Sequence, residues 1–348
     1  MGRLAASTAA ACVLAAALVA GATAAPPAAS WAARQIASVV AAGVMGPDAE
    51  SFRPDDAITA GELTDAVWAL GLPLPAPLDP FRALTMRELD GKLVTALGLR
   101  PAATRIRVAA RDAGLRPTAH LGTETVARLL GLRLNHPIAD EQLERRPNDL
   151  ASRAEAAYSL ARVLALREGD VAAVDEASRT LAFPELTEEQ AGIVSRALRF
   201  VGFPYVFSGT SERSQQLWSS TAPGGTVTAP AGFDCSGLVW RVFKLEPFEL
   251  EPQLTAVIKG RTTYAMSGEV PAALRIGLDA LEPADVVFFG AAGTRSKPSQ
   301  VTHSGIYVGS GWFVHSSTNG VTLQPLTGWY TTRFAWGRRP LAEALVSA

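Results

Sequence analysis

Three times in the first half of this chain the same device for starting a helix is written out, and it commits that half to helices. Thr59-Ala60-Gly61-Glu62 supplies a cap hydroxyl for the third amide of a helix and a glutamate that reaches back to the cap amide, the reciprocal pair of a capping box. Ile58 and Leu63 occupy the flanking positions of a hydrophobic staple, which fixes the angle at which the chain enters the helix. Thr85-Met86-Arg87-Glu88 repeats the arrangement between Leu84 and Leu89, and Ser152-Arg153-Ala154-Glu155 repeats it between the smaller Ala151 and Ala156. Each start precedes apolar residues at helical spacing, so an all-α unit is expected over 31–168. Ahead of the first start, Trp31, Ala32, Ile36, Val39 and Val40 share one helical face, and Gly43 is placed to end that helix.

Phe52-Arg53-Pro54-Asp55 then leads into the Thr59 cap. This order resembles the S-layer homology repeat: an aromatic-led helix, a glycine, a Phe-Arg-Pro-Asp turn and a Thr-Arg-Ala-Glu helix start. Pro80-Phe81-Arg82 and Arg146-Pro147-Asn148-Asp149 keep fragments of it, at unequal intervals that do not make a strict tandem array. The resemblance implies a helical bundle that holds the protein on secondary cell-wall polymers. Ordinary capped helices serving as a spacer are the alternative.

The chain changes character after Phe183-Pro184. Residues 169–187 are expected to link two units and to hold a helix between Glu168 and Phe183-Pro184, after which Thr187-Glu188-Glu189-Gln190 opens a new helix by the same capping logic. Short β-rich runs and glycine turns follow, giving an α+β unit over 188–340. In it, Asp234-Cys235-Ser236-Gly237 precedes Leu238, Val239, Val242 and Phe243 at helical spacing, which puts Cys235 in the first turn of a helix. Exposed amides and the positive end of the helix dipole favour a thiolate there, so a thiolate–imidazolium pair is expected with a neighbouring histidine. Four histidines occur, at 120, 136, 303 and 315. Val301 to Val308 and Trp312 to Ser317 read as strands joined by a tight turn at Gly309-Ser310-Gly311. Without a bulge, the even separation of His303 and His315 puts both rings on one sheet face.

Context makes that cysteine unusual. From Met1 to Ala24 an arginine, an apolar run and a small-residue exit form a secretory signal pattern. Cys12 lies inside it, so an exported chain would keep one thiol, Cys235, with no partner for a disulfide.

Gly202-Phe203-Pro204-Tyr205-Val206-Phe207-Ser208-Gly209, Phe233-Asp234-Cys235-Ser236-Gly237, His303-Ser304-Gly305-Ile306-Tyr307 and Phe313-Val314-His315 together resemble the NlpC/P60 family of peptidoglycan cysteine endopeptidases. That resemblance implies a papain-like α+β fold, with the nucleophile at a helix start packed on an antiparallel sheet. It makes Cys235 the nucleophile, His303 the base and His315 the group that orients it. Tyr205, Asp234, Ser236 and Ser304 become oxyanion and substrate-binding residues, and the substrate becomes a stem-peptide amide, between γ-D-glutamate and the diamino acid. Ser208 departs from the family's Gly-Gly pair. The stretches Ser211 to Ala231 and Gly293 to Thr302 are expected to shape the rim of the cleft.

A net charge of -1 offers no basic stripe for nucleic acid, and no stretch after the signal pattern is long and apolar enough to span a bilayer. No cofactor is expected. A zinc site on Cys235, His303 and His315 lacks any Cys-x-x-Cys or His-Glu-x-x-His spacing. Acyl transfer or amide hydrolysis on another wall or lipid substrate remains open, as does a non-catalytic wall-binding protein.

Overall fold

The computed structural model describes residues 30–133, 145–219, 224–244 and 252–346. The expected signal segment 1–24 and His136 lie outside the described residues. Helices make up the first half: α1 (Ala33–Ala41), α2 (Ala60–Ala69), α3 (Met86–Ala96), α4 (Arg100–Asp112), α5 (Leu121–Leu129), α6 (Arg153–Ala165), α7 (Glu168–Thr180) and α8 (Glu188–Arg199).

The three helix starts hold one another. An α-helix leaves its first four amides without partners inside the helix. In α2 the third is taken by the Thr59 hydroxyl at 3.2 Å, while the Glu62 carboxylate accepts from the Thr59 amide at 2.9 Å. Glu88 accepts from Thr85 in the same way, and Ser152 caps the Glu155 amide. The second amide of each helix goes to a proline carbonyl of another start: Gly61 to Pro80, Arg87 to Pro147 and Ala154 to Pro54. One residue before each cap, a closed ring forms in which Ile58 donates to Ala151 at 2.9 Å, Ala151 to Leu84 at 2.8 Å and Leu84 to Ile58 at 3.0 Å. Ile58, Leu84 and Ala151 are fully buried. Three segments unequally spaced in sequence therefore surround a pseudo-threefold axis, because the ring needs only cap geometry and the wide second interval is taken up by α3, α4 and α5.

The stretch expected as a linker is largely the packed helix α7. Its Asp175 and Ser178 are held by Arg105 of α4. One apolar core then runs from Ala32 through Leu198 to Ala344, so both halves share an interior.

The second half pairs β1 (Thr210–Ser211) with β4 (Gly232–Phe233) and β2 (Gln215–Trp218) with β3 (Thr226–Ala229). Next come α9 (Cys235–Lys244), α10 (Pro252–Val257) and α11 (Thr263–Gly268). The main antiparallel sheet contains β5 (Val286–Gly290), β6 (Val301–Gly309), β7 (Trp312–Ser317), β8 (Gly320–Pro325) and β9 (Phe334–Arg338), in the order β8-β7-β6-β5-β9. Two helices, α12 (Trp329–Arg333) and α13 (Pro340–Val346), flank β9 in sequence. Strand alternation divides the sheet into two faces. Val286, Phe288, Ile306 and Val314 share a core with Leu238, Val239, Val242 and Phe243 of α9, each such side chain contributing about 1.5–3 kcal/mol by burial. Val287, Phe289, Phe313 and Phe334 form a separate aromatic cluster with Tyr307 and Tyr330 on the other face.

Within the helical half, Asp90 of α3 and Arg133 are fully buried and 2.9 Å apart. Asp90→Ala removes this buried charge-assisted bond and is expected to lower unfolding stability by about 1.5–3 kcal/mol. Urea denaturation checks this, and a loss below about 1 kcal/mol contradicts it.

Candidate active site

Cys235 is the first residue of α9, and a network around Asp234 fixes that helix start. The Asp234 carboxylate accepts from the Gly237 amide and, at 3.0 Å, from the Ser236 hydroxyl. Arg261, in the loop before α11, donates to Asp234 at 3.2 Å, to Ser236 at 2.7 Å and to the Ser208 carbonyl at 2.9 Å. Asp234 is thus the helix cap and already carries a counter-ion. Nothing in the sequence marked Arg261, which lies outside every motif block and reaches the site only through the fold. Ser208, standing where the resembled family has glycine, adopts a left-handed φ of 62°. Tyr205 lies in a parallel bridge to Phe233, two residues before Cys235, and Ser236 is buried in the first turn.

The sulfur rests against β6. The Ser304 amide, which is the peptide group joining Ser304 to His303, and the Ser304 hydroxyl both favour its ionised form. Ser304 is fully buried on the α9 side of the strand. His303 stands beside a bulge, since pairing with β5 passes from His303↔Phe289 to Val301↔Gly290 and leaves Thr302 out of register. Its Nε2 lies 2.9 Å from Nδ1 of His315. The shared face arises differently from the bulge-free hairpin expected. Gly309 pairs with Trp312 across a two-residue Ser310-Gly311 turn, and a bulge between Tyr307 and Gly309 adds the residue that restores parity.

Further partners extend the pair. The His315 ring stacks on Phe313 with centroids 4.5 Å apart, and its Nε2 lies 3.5 Å from the Tyr330 hydroxyl. The Gln324 side chain also bonds His315. When His303 presents a bare Nδ1, its Nε2–H donates to His315 Nδ1, and His315 carries its own proton on Nε2, toward Tyr330 and Gln324. Among the described residues no three His, Cys, Asp or Glu side chains are grouped to hold a metal ion.

Burial opposes the thiolate–imidazolium pair expected from the helix start. It pushes the Cys235 thiol up to about 12, with the neighbouring Asp234 charge adding to the rise and the Ser304 and Ser236 amides moderating it. It also drives His303 well below the ordinary imidazole value, helped by His315, and brings His315 down to about 4. These shifts favour a neutral thiol at Cys235 and neutral rings at His303 and His315.

Residues 202–339 match the model of the NlpC/P60 family, and residues 25–64 match that of the S-layer homology domain. The chain thus carries an NlpC/P60 module behind an S-layer homology segment. Among curated relatives, a probable endopeptidase of Mycobacterium tuberculosis is 32% identical over 39% of this chain and 26% of its own length. The probable peptidoglycan endopeptidase LytE of Bacillus subtilis is 33% identical over 40% of this chain and 30% of its own. The gamma-DL-glutamyl hydrolase of Bacillus subtilis is 28% identical over 39% and 25%. The chain spans only about a quarter to a third of the length of these relatives. Among solved structures, an NlpC/P60 family protein from Bacillus cereus aligns with a TM-score of 0.32 at 21% identity, over 47% of this chain and 43% of that one.

Burial lowers the pKa of His303, so with His303 as a general base that must be neutral the acid limb of kcat/KM should fall below pH 6.5. Hydrolysis at pH 5.5 is expected to stay within about threefold of that at pH 7. A limb centred at or above pH 6.5 contradicts the buried, neutral pair.

Proposed function

We propose that this protein is a peptidoglycan peptidase, with Cys235 as nucleophile, His303 as general base and His315 as the group that fixes the base. The observation that carries this reading is the Cys235 sulfur lying against the His303–Ser304 peptide, with the His303 ring bonded to His315. The thiol proton passes to His303 as sulfur bonds to the amide carbon. Collapse of the tetrahedral adduct expels the amine, which takes the proton from His303 and leaves a thioester. Water, deprotonated by His303, then releases the acid and the proton returns to sulfur. The Tyr205 hydroxyl and the Cys235 amide are the proposed donors to the oxyanion.

The bond between γ-D-glutamate and the diamino acid is the proposed target, supported by relatives named as a peptidoglycan endopeptidase and a gamma-DL-glutamyl hydrolase. Asp234 and Ser236 line the corner next to the sulfur where the stem peptide would lie. Since Arg261 already neutralises Asp234, an ammonium group arriving there meets a screened carboxylate. Digestion of defined muropeptides read by mass spectrometry tests the reading. The wild-type chain should release the two halves of the stem, and Cys235→Ala should release none; cleavage by Cys235→Ala overturns the mechanism.

The helical half is proposed to keep the enzyme at the wall, and with the signal pattern this makes the protein secreted. A groove of about 510 Å³ beside the pseudo-threefold ring, lined among others by Arg53, Asp56, Glu62, Asp65, Phe81 and Arg153 with Arg53 paired to Asp56 and Arg153 to Glu62, is the proposed contact with the wall polymer. Arg53 and Phe81 are largely exposed, so Arg53→Ala with Phe81→Ala should leave folding intact and abolish sedimentation with purified walls. Pelleting equal to wild type would end the retention proposal.

A further inference from the structure

The helical half does more than adjoin the sheet. Helix α5 presents its buried Arg128 to two segments of the other half at once. The guanidinium donates to the Gly202 carbonyl at 2.6 Å and to the Phe203 carbonyl at 3.4 Å from one nitrogen, and to the Asn319 carbonyl from the other. Gly202 and Phe203 begin the strip that leads to Tyr205, and Asn319 lies in the turn between β7, which bears His315, and β8. These segments are bonded to each other as well, Gly202 donating to Val321 at 2.9 Å and Val321 to Phe203 at 2.8 Å. From there the connections run inward. Phe233 donates to the Pro204 carbonyl, and its own carbonyl accepts the Ser316 hydroxyl at 2.6 Å, two residues before Cys235.

The contact surface is shaped for these side chains. A Cβ at Gly320 would lie 2.2 Å from Arg128 Nη1, and one at Gly202 would lie 2.7 Å from the Glu124 carboxyl. Both glycines have left-handed φ, 72° and 98°, so the backbone there turns in a way that also leaves the two α5 side chains room. An arginine is suited to this place because its planar fork reaches several carbonyls at fixed angles, which a lysine ammonium cannot do.

We propose that Arg128 is a positioning residue of the peptidase site: it locks the Tyr205 strip to the β7–β8 turn, and so makes the helical half part of the site rather than a detachable anchor. This rests on the peptidase reading above for its kinetic consequence, and on geometry alone for the lock.

The full-length chain tests it in four forms: wild type, Arg128→Met, Arg128→Lys and, as a control of equal charge loss within the helical half, Arg105→Met at the α4–α7 contact. Muropeptide kinetics, hydrogen exchange at Val321 and the rate of Cys235 alkylation by iodoacetamide are measured on each. Arg128→Met should lower kcat at least tenfold with KM within about threefold, raise exchange at Val321 at least tenfold and change the alkylation rate severalfold. Arg128→Lys should recover part of each, and Arg105→Met should match wild type. If Arg128→Met does not fold, Arg128→Lys carries the test with an expected kcat loss of at least threefold. Unchanged kcat, or equal losses in Arg105→Met, overturns the proposal. Should the wild type release no peptide, the peptidase reading fails by itself, while exchange and alkylation still decide whether the lock exists.

Discussion

The first turn of α9 sits where it does because position 237 has no side chain: a Cβ there would stand 1.9 Å from the Gly209 carbonyl oxygen. That same oxygen accepts from the Asp234 amide at 3.1 Å, so one carbonyl sets both the start of the helix and its closest approach. Asp234, clamped by Arg261, then closes the turn, and Cys235 is left pointing at β6. If this approach opened, the sulfur would leave the Ser304 amide and the candidate site would lose its nucleophile without any change in the histidines.

Burial gives the site its chemical character. Desolvation of the Cys235 thiol against Ser304, and of the two imidazoles among Phe289, Phe313 and Tyr330, favours the neutral form of all three. Charges on Cys235 and His303 would form where the surroundings solvate them poorly, which opposes the thiolate–imidazolium pair expected from the helix start and a neighbouring histidine. The hydrogen bond between His303 and His315, continued toward Tyr330 and Gln324, fixes the His303 ring without requiring a charged partner.

Local rules in the sequence carried much of this structure. The capping boxes at Thr59 and Thr85, the helix beginning at Cys235 and the hairpin holding His303 and His315 each depend on residues within a few positions of one another. Contacts between distant segments were not legible. The ring of Ile58, Leu84 and Ala151 arises from backbone groups that any residue possesses, so no side-chain pattern announces it. Arg261, Arg128 and Tyr330 act through the fold and look like ordinary surface or core residues when read in line. The hairpin shows an intermediate case, since the two rings meet through a short turn and a compensating bulge rather than the regular register inferred from spacing.

The proposed reaction turns on proton movement from the sulfur of residue 235 to the imidazole of residue 303, and its most direct test is the pH dependence of iodoacetamide labelling at that thiol in wild type and His303→Gln. With the transfer in place, wild-type labelling near pH 7 should exceed that of the variant by about a hundredfold or more, and the variant should label only as its isolated thiol ionises at high pH. Identical profiles for the two proteins would contradict it.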